Sequence, residues 1–225
     1  MSSIHLKYNT IYIHDKSSLA FKIPNIKDIW LFNCPEECQN YFIKQKIKII
    51  QISIIIITQL DIKNISGLPG LLSSLSLLNR EQGLHIYGPA GLEKYLTLEK
   101  KYSQTHFRYK LYFHKLTTGL IIKRKKCLIY CFSRNLKFEF IIIINEYGKF
   151  NLKKAKQYQM IIGPLYGQLK QGLNFILPDG LIINGAYFTN THYNNTKIAL
   201  ILDKYNCRQS IEITTKYKKN IIFFN

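Results

Sequence analysis

Acidic side chains are scarce: 13 Asp and Glu stand against 32 Lys and Arg, a formal net charge of +19 over 225 residues. That imbalance argues against an acidic small molecule as partner and favours a polyanion such as RNA. Compositional drift is the competing explanation, because Ile, Lys, Asn and Tyr share A+T-rich codons. Cysteine is sparse and odd in number, five residues. Without an export signal this speaks against a disulfide framework. Cys34/Cys38 and Cys127/Cys131 lack the Cys-x2-Cys spacing of a zinc knuckle and read as small buried hydrophobes. MSSIHLKYNT has no charged segment leading into an apolar one, so no secretory signal is expected. No membrane span is expected either, since the Ile-rich run from Ile47 to Ile57 is far short of the roughly 20 apolar residues a helix needs to cross. Hydrophobic residues make up 47% of the chain, too many for a disordered one.

What is present is organised around the stretch from Ile47 to Leu78. Ile47 to Ile57 reads as a strand buried on both faces. The polar segment Gln59-Leu-Asp-Ile-Lys-Asn64 follows it at the carboxyl end, a usual place for a site in a layered α/β protein. Pro69 then opens a helix over Leu68 to Leu78. Gln39 to Lys46 reads as a further short helix, and Leu84 to Leu96 as strand, Gly88-Pro89 break and helix. Two strand-like runs between Leu120 and Ile144 flank the basic cluster Lys123 to Lys126, whose default is solvation. Phe140 to Ile144 is expected to be a buried strand. Asn151 is placed to cap a short basic helix, glycines flank Pro164 in an exposed turn, and Phe175 to Ile183 reads as a hairpin. His5 and His14 have no evident partners and read as structural, His85 reads as a strand residue, and His106 and His114 belong to the aromatic stretch after the helix with no role assigned.

Four phrases, in order, carry a family resemblance. Thr58-Gln-Leu-Asp-Ile-Lys-Asn64 before Ile65-Ser-Gly-Leu-Pro-Gly-Leu-Leu72 resembles ribonuclease Z, the tRNA 3′-processing endonuclease of the metallo-β-lactamase fold. That family has Thr-His-Leu-His-Gly-Asp-His before the same Gly-Leu-Pro-Gly-Leu-Leu. Trp30-Leu-Phe-Asn-Cys-Pro-Glu-Glu-Cys-Gln39 resembles its Trp-Leu-Phe-Asp-Cys-Gly-Glu-Gly-Thr-Gln, with Glu36 and Gln39 retained and Pro35 and Glu37 in place of glycines, which implies a reshaped loop. Gly163-Pro-Leu-Tyr-Gly-Gln-Leu-Lys170 resembles the phrase in the family's tRNA-gripping arm, and Lys197 to Asp203 resembles a strand ending in a metal-ligand aspartate.

The resemblance implies an α/β fold, a metallo-β-lactamase-like αββα sandwich truncated at its carboxyl end. It further implies one domain over 1–225 with a projecting arm over 147–187. Lys149, Lys153, Lys154, Lys156 and Lys170 are then the expected RNA-binding residues. The chemistry departs from the family. Gln59, Asp61 and Asn64 stand at its histidine positions, Lys63 at its aspartate and Leu136 near another histidine, while Asp203 is retained. An ammonium about 4 Å from a dication is repelled by roughly 8 kcal/mol at an effective dielectric of 20. No catalytic residue, metal ligand or bound cofactor is therefore expected, although the family uses zinc.

Three functions stay open: a tRNA-binding pseudo-nuclease, an active endonuclease with a non-standard or partner-supplied metal site, and a relic. The first is favoured because the arm phrase survives while the loop histidines do not. The expected partners are tRNA or precursor tRNA and a second subunit, in a homodimer or a heterodimer with a complete ribonuclease Z. A+T-driven composition in a bacterial-type RNA protein points to a plastid, the chloroplast.

Overall fold

Extended β-branched and aromatic runs pair into two sheets that close on each other, and the helices cover one of them. The computed structural model describes residues 2–6, 9–15, 18–22, 28–124, 127–134, 137–144, 150–158, 160, 163–170, 173–176, 180, 182–188, 196–201 and 220–223. The first sheet has seven strands in sequential order, β1 (Ser2–Leu6), β2 (Asn9–Asp15), β3 (Ser18–Lys22), β4 (Ile29–Phe32), β5 (Ile52–Ile56), β6 (Leu84–Gly88) and β7 (Leu111–Lys115). Strands β1 to β4 pair antiparallel. From β4 to β7 the pairing is parallel. Parallel neighbours require crossovers. Helices α1 (Cys38–Lys44), α2 (Ile62–Ile65), α3 (Leu68–Leu77) and α4 (Leu92–Tyr102) lie in those connections.

The second sheet comprises β8 (Gly119–Arg124), β9 (Cys127–Arg134), β10 (Lys137–Ile144), β13 (Thr196–Ile201) and β14 (Asn220–Phe223), in the order β14-β13-β10-β9-β8. Between β10 and β13 the chain forms α5 (Leu152–Gln157), α6 (Pro164–Lys170) and a two-stranded ribbon of β11 (Phe175–Ile176) and β12 (Ile182–Ile183). That ribbon is the hairpin expected from the sequence.

Two buried clusters divide the sandwich. Phe21, Trp30, Phe32, Ile54 and Ile56 meet Ile129, Phe140, Ile142, Ile198 and Leu200 between the sheets. On the other face of the first sheet, Leu31, Ile55 and Ile57 pack against Phe42, Leu68, Leu72, Leu92 and Leu96 of the helices. β5 thus feeds both clusters, as its unbroken apolar run requires. Residues of 150–188 supply a third cluster of their own, with Ala155, Leu169, Ile183 and Phe188 buried against Phe150, Leu165, Tyr166 and Phe175.

Three expectations are corrected. The Ile-rich strand starts at Ile52 rather than Ile47, because Ile49–Gln51 form a single 3-10 turn. Its Ile50 is 42% exposed. In β10, Phe140, Ile142 and Ile144 are buried while Ile141 and Ile143 are only half-buried. The helices pack on the first sheet, so one face of β10 looks away from the core. Gly163-Pro164 opens α6 rather than an isolated turn, with proline at the first helical position, where a missing N–H costs nothing.

Candidate functional site

The carboxyl ends of β4, β5 and β6 are stitched together by backbone and one buried amide. Asn33 leaves β4 with φ of 55°, a left-handed conformation that asparagine tolerates better than most residues. Its N–H donates to Ile56 O at 2.8 Å. Its Oδ1 accepts from the Thr58 N–H at 2.9 Å and from Thr58 Oγ1 at 3.0 Å, all buried. Ile57 N–H donates to Tyr87 O at 2.8 Å, which ties in β6.

The loop after β4 is then fastened to the loop after β5. Cys34 N–H donates to Asn64 O at 2.7 Å, and Gly67 N–H donates to Cys34 O at 2.9 Å. Glu36 N–H donates to Ser66 Oγ at 2.9 Å. A Cβ at Gly67 would lie 2.1 Å from Pro35 O, so only glycine fits this crossing of two backbones. Ser74 Oγ donates to Gln39 Oε1 at 2.8 Å. Glu37 takes φ of 64°, so the loop holds a glycine-favouring conformation without the glycine. The side chain of Gln39 and the bare backbone of Gly67, two of the positions that carry the resemblance, are therefore architectural, whereas Glu36 contributes only its N–H.

The positions expected to hold chemistry fall as follows. Gln59 is half-buried and its Nε2 donates to Oδ2 of the exposed Asp61. Asp61 precedes α2, and its carbonyl accepts from the N–H groups of Asn64 at 2.9 Å and Ile65 at 3.2 Å. Lys63 is exposed on α2, while Asn64 is buried. The structure thus brings Gln59 and Asp61 together and separates Lys63 from Asn64 by environment. Leu136, Asp203 and Lys149 lie outside the described residues.

A hydrolytic zinc centre needs several imidazoles and a carboxylate with an open position for water. The loop offers one carboxylate already held by an amide, and among the described residues no three His, Cys, Asp or Glu side chains come together. The donors of this loop do not fit zinc.

Of the expected RNA-binding lysines, four lie within the described residues, on α5 and α6. Asn151 caps α5, its side chain accepting from the N–H groups of Lys153 at 3.1 Å and Lys154 at 3.2 Å. Lys153, Lys154, Lys156 and Lys170 are all exposed. Lys154 Nζ lies 5.2 Å from the centroid of the Tyr187 ring, which holds the cation without neutralising it.

One constellation escaped the sequence reading. His85 and Tyr87 on β6 face Tyr112 and His114 on β7, with His85 stacked on Tyr112 at 4.9 Å and Tyr87 on His114 at 4.4 Å. His85 Nδ1 and His114 Nε2 share a hydrogen bond of 3.0 Å. Burial, then His114 and Arg124, hold the His85 pKa below its ordinary value. The signal was the i, i+2 spacing in two runs that turn out to be neighbouring parallel strands. The cysteines behave as read: burial pushes Cys127 and Cys131 up to about 12. The Cys34 thiol is also raised, first by its contact with Cys38, whose Sγ is 3.1 Å away, and then by burial.

No family model matches the chain. It is 36% identical over 203 residues to the ycf56 protein of Porphyra purpurea, a match covering 88% of this chain and 76% of the relative. Against the ycf56 protein of Pyropia yezoensis it is 38% identical over 83% of this chain and 72% of the relative. A ribonuclease Z of Nostoc is 35% identical over 88% of this chain, and the match spans 62% of that protein's length. The crystal structure of a long-form RNase Z from yeast covers 96% of this chain and 32% of its own, with a TM-score of 0.53 at 14% identity. Human tRNase Z, short form, covers 56% of this chain and 57% of its own, with a TM-score of 0.50 at 24% identity. These two show the fold, the metallo-β-lactamase sandwich. The expectation of no cofactor is corrected by the same relatives, because ribonuclease Z proteins of this fold use zinc.

Proposed function

We propose, for a chain that belongs to the family of the ycf56 proteins and is homologous to ribonuclease Z, that it binds precursor tRNA through the 147–187 arm and has lost its own phosphodiesterase site. The zinc chemistry of the family is then supplied in trans by a complete ribonuclease Z subunit. One observation carries this reading. Lys153, Lys154, Lys156 and Lys170 stand exposed on elements that bury a hydrophobic cluster of their own, whereas among the described residues no three His, Cys, Asp or Glu side chains come together.

A module with its own core can hold cations toward a phosphate backbone independently of the sandwich, and such contacts position a nucleic acid without reading its bases. The formal charge of +19 adds a long-range attraction for the same partner. Red-algal and cyanobacterial relatives support a place in the plastid, and the dimeric habit of the fold supports a second subunit.

The test gives purified protein a precursor tRNA with zinc, alone and with a complete ribonuclease Z, and measures retention and 3′ cleavage. Retention without cleavage by the chain alone is expected. Zinc-dependent cleavage by the chain alone overturns the loss of its site, and no retention at any salt overturns the tRNA reading.

A further inference from the structure

Edge strand β7 lies in a run where basic and aromatic residues interleave, His106-Phe-Arg-Tyr-Lys-Leu-Tyr-Phe-His-Lys115. Period two sends Leu111 and Phe113 to the helix-side cluster and leaves Tyr112 and His114 on the other face. Tyr112 lies against the His85 ring at 4.9 Å, and His114 lies against two β6 rings, Tyr87 at 4.4 Å and His85 at 5.2 Å. β7 is the last strand of its sheet among the described residues, and His114 is half-buried. Tyr112 is 45% exposed.

We infer that β7 is a stacking platform for unpaired RNA, with Tyr112 and His114 receiving successive bases and Lys110 and Lys115 meeting the phosphates. The inference rests on the RNA-binding reading above but uses a surface separate from the arm. The two rings are two residues apart on one strand, about 6.6–6.8 Å by strand rise, a spacing that suits bases of an extended strand rather than a stacked duplex. Lys110 and Lys115 are exposed at the two ends of β7. The β6 rings and the His85–His114 hydrogen bond fix the outer rings in place, which lowers the entropy lost when a base lands on them. Tyr87 connects the platform to the site edge, since its carbonyl receives the Ile57 N–H just before the substituted loop. An unpaired segment leaving that edge has the platform alongside it. Aromatic stacking tolerates any base, so the ligand class is single-stranded RNA of unrestricted sequence.

The probe is a short fluorescein-labelled oligouridylate, titrated by anisotropy beside folded tRNA. Tyr112→Ala and His114→Ala should each weaken oligouridylate binding by about 5- to 150-fold, the equivalent of 1–3 kcal/mol per stacked base. Retention of folded tRNA should stay at the wild-type level. Tyr112→Phe and His114→Phe, which keep a ring, should bind as wild type. Should the Ala variants fail to fold, photocrosslinking of wild-type protein to a 4-thiouridine oligomer decides: adducts on Tyr112 or His114 support the platform, and adducts only elsewhere overturn it. Ala variants that fold and bind as wild type overturn it, as does a wild type that retains tRNA but not oligouridylate. Binding of oligouridylate without tRNA keeps the platform and removes the arm reading.

Discussion

Asn33 does at one position what a longer network does elsewhere. Its amide oxygen satisfies two buried donors of Thr58, and its own N–H closes on Ile56. Asn33→Ala would leave the Thr58 N–H and hydroxyl buried and unpaired, so a loss of about 1–3 kcal/mol is expected in urea unfolding. His85 gives a second expectation at this scale. Burial, His114 and Arg124 place its folded pKa below 6.5, so between that lowered value and 6.5 the unfolded chain binds more protons than the folded one. Stability is then complete above pH 6.5 and falls as pH drops through the window. His85→Phe should flatten that part of the pH–Tm curve. The identities at Gln59, Asp61, Lys63 and Asn64 were legible from the sequence. Their environments were not: only the folded chain pairs Gln59 with Asp61 and buries Asn64.

At the scale of elements, helices were read most faithfully where punctuation was strong. Leu68–Leu77 falls where Pro69 placed it, Cys38–Lys44 ends two residues before the expected Lys46, and the helix after Gly88-Pro89 runs to Tyr102, beyond the expected Leu96. The start of β5 was misplaced because isoleucine density does not separate a strand from the 3-10 turn leading into it. The ring ladder was missed for a different reason, since it depends on which strands become neighbours. Gly67 marks the crossing of the loops after β4 and β5, where Gly67→Ala would drive a methyl into Pro35 O. Chemical denaturation should show a loss of about 1–3 kcal/mol or more, since backbone rather than a side-chain tip must yield. In the arm, Asn151→Ala removes the cap of α5 and should cost about 1 kcal/mol. Because the cluster over 150–188 draws on its own residues, that loss should appear as faster amide exchange there and leave the exchange of β5 unchanged.

At the scale of the whole molecule, charge and shape make separable contributions to RNA binding. A net charge of +19 attracts any polyanion, so weak retention at low salt would not by itself identify a site. The slope of affinity against salt is more discriminating, because it counts phosphates neutralised, at about −0.7 to −0.9 per contact on a log-log plot. If Lys153, Lys154 and Lys156 each neutralise one phosphate, changing all three to Ala should make the slope shallower by about two to three. The loss should be uniform across tRNAs, since phosphate contacts do not read sequence. Replacing three surface lysines elsewhere, Lys94, Lys100 and Lys101 on α4, removes the same formal charge and is the control. Equal slopes for the two triple variants would mean that the field of the whole protein binds RNA and the arm contributes no contacts of its own. A shallower slope for the α5 variant alone would locate those contacts on the arm.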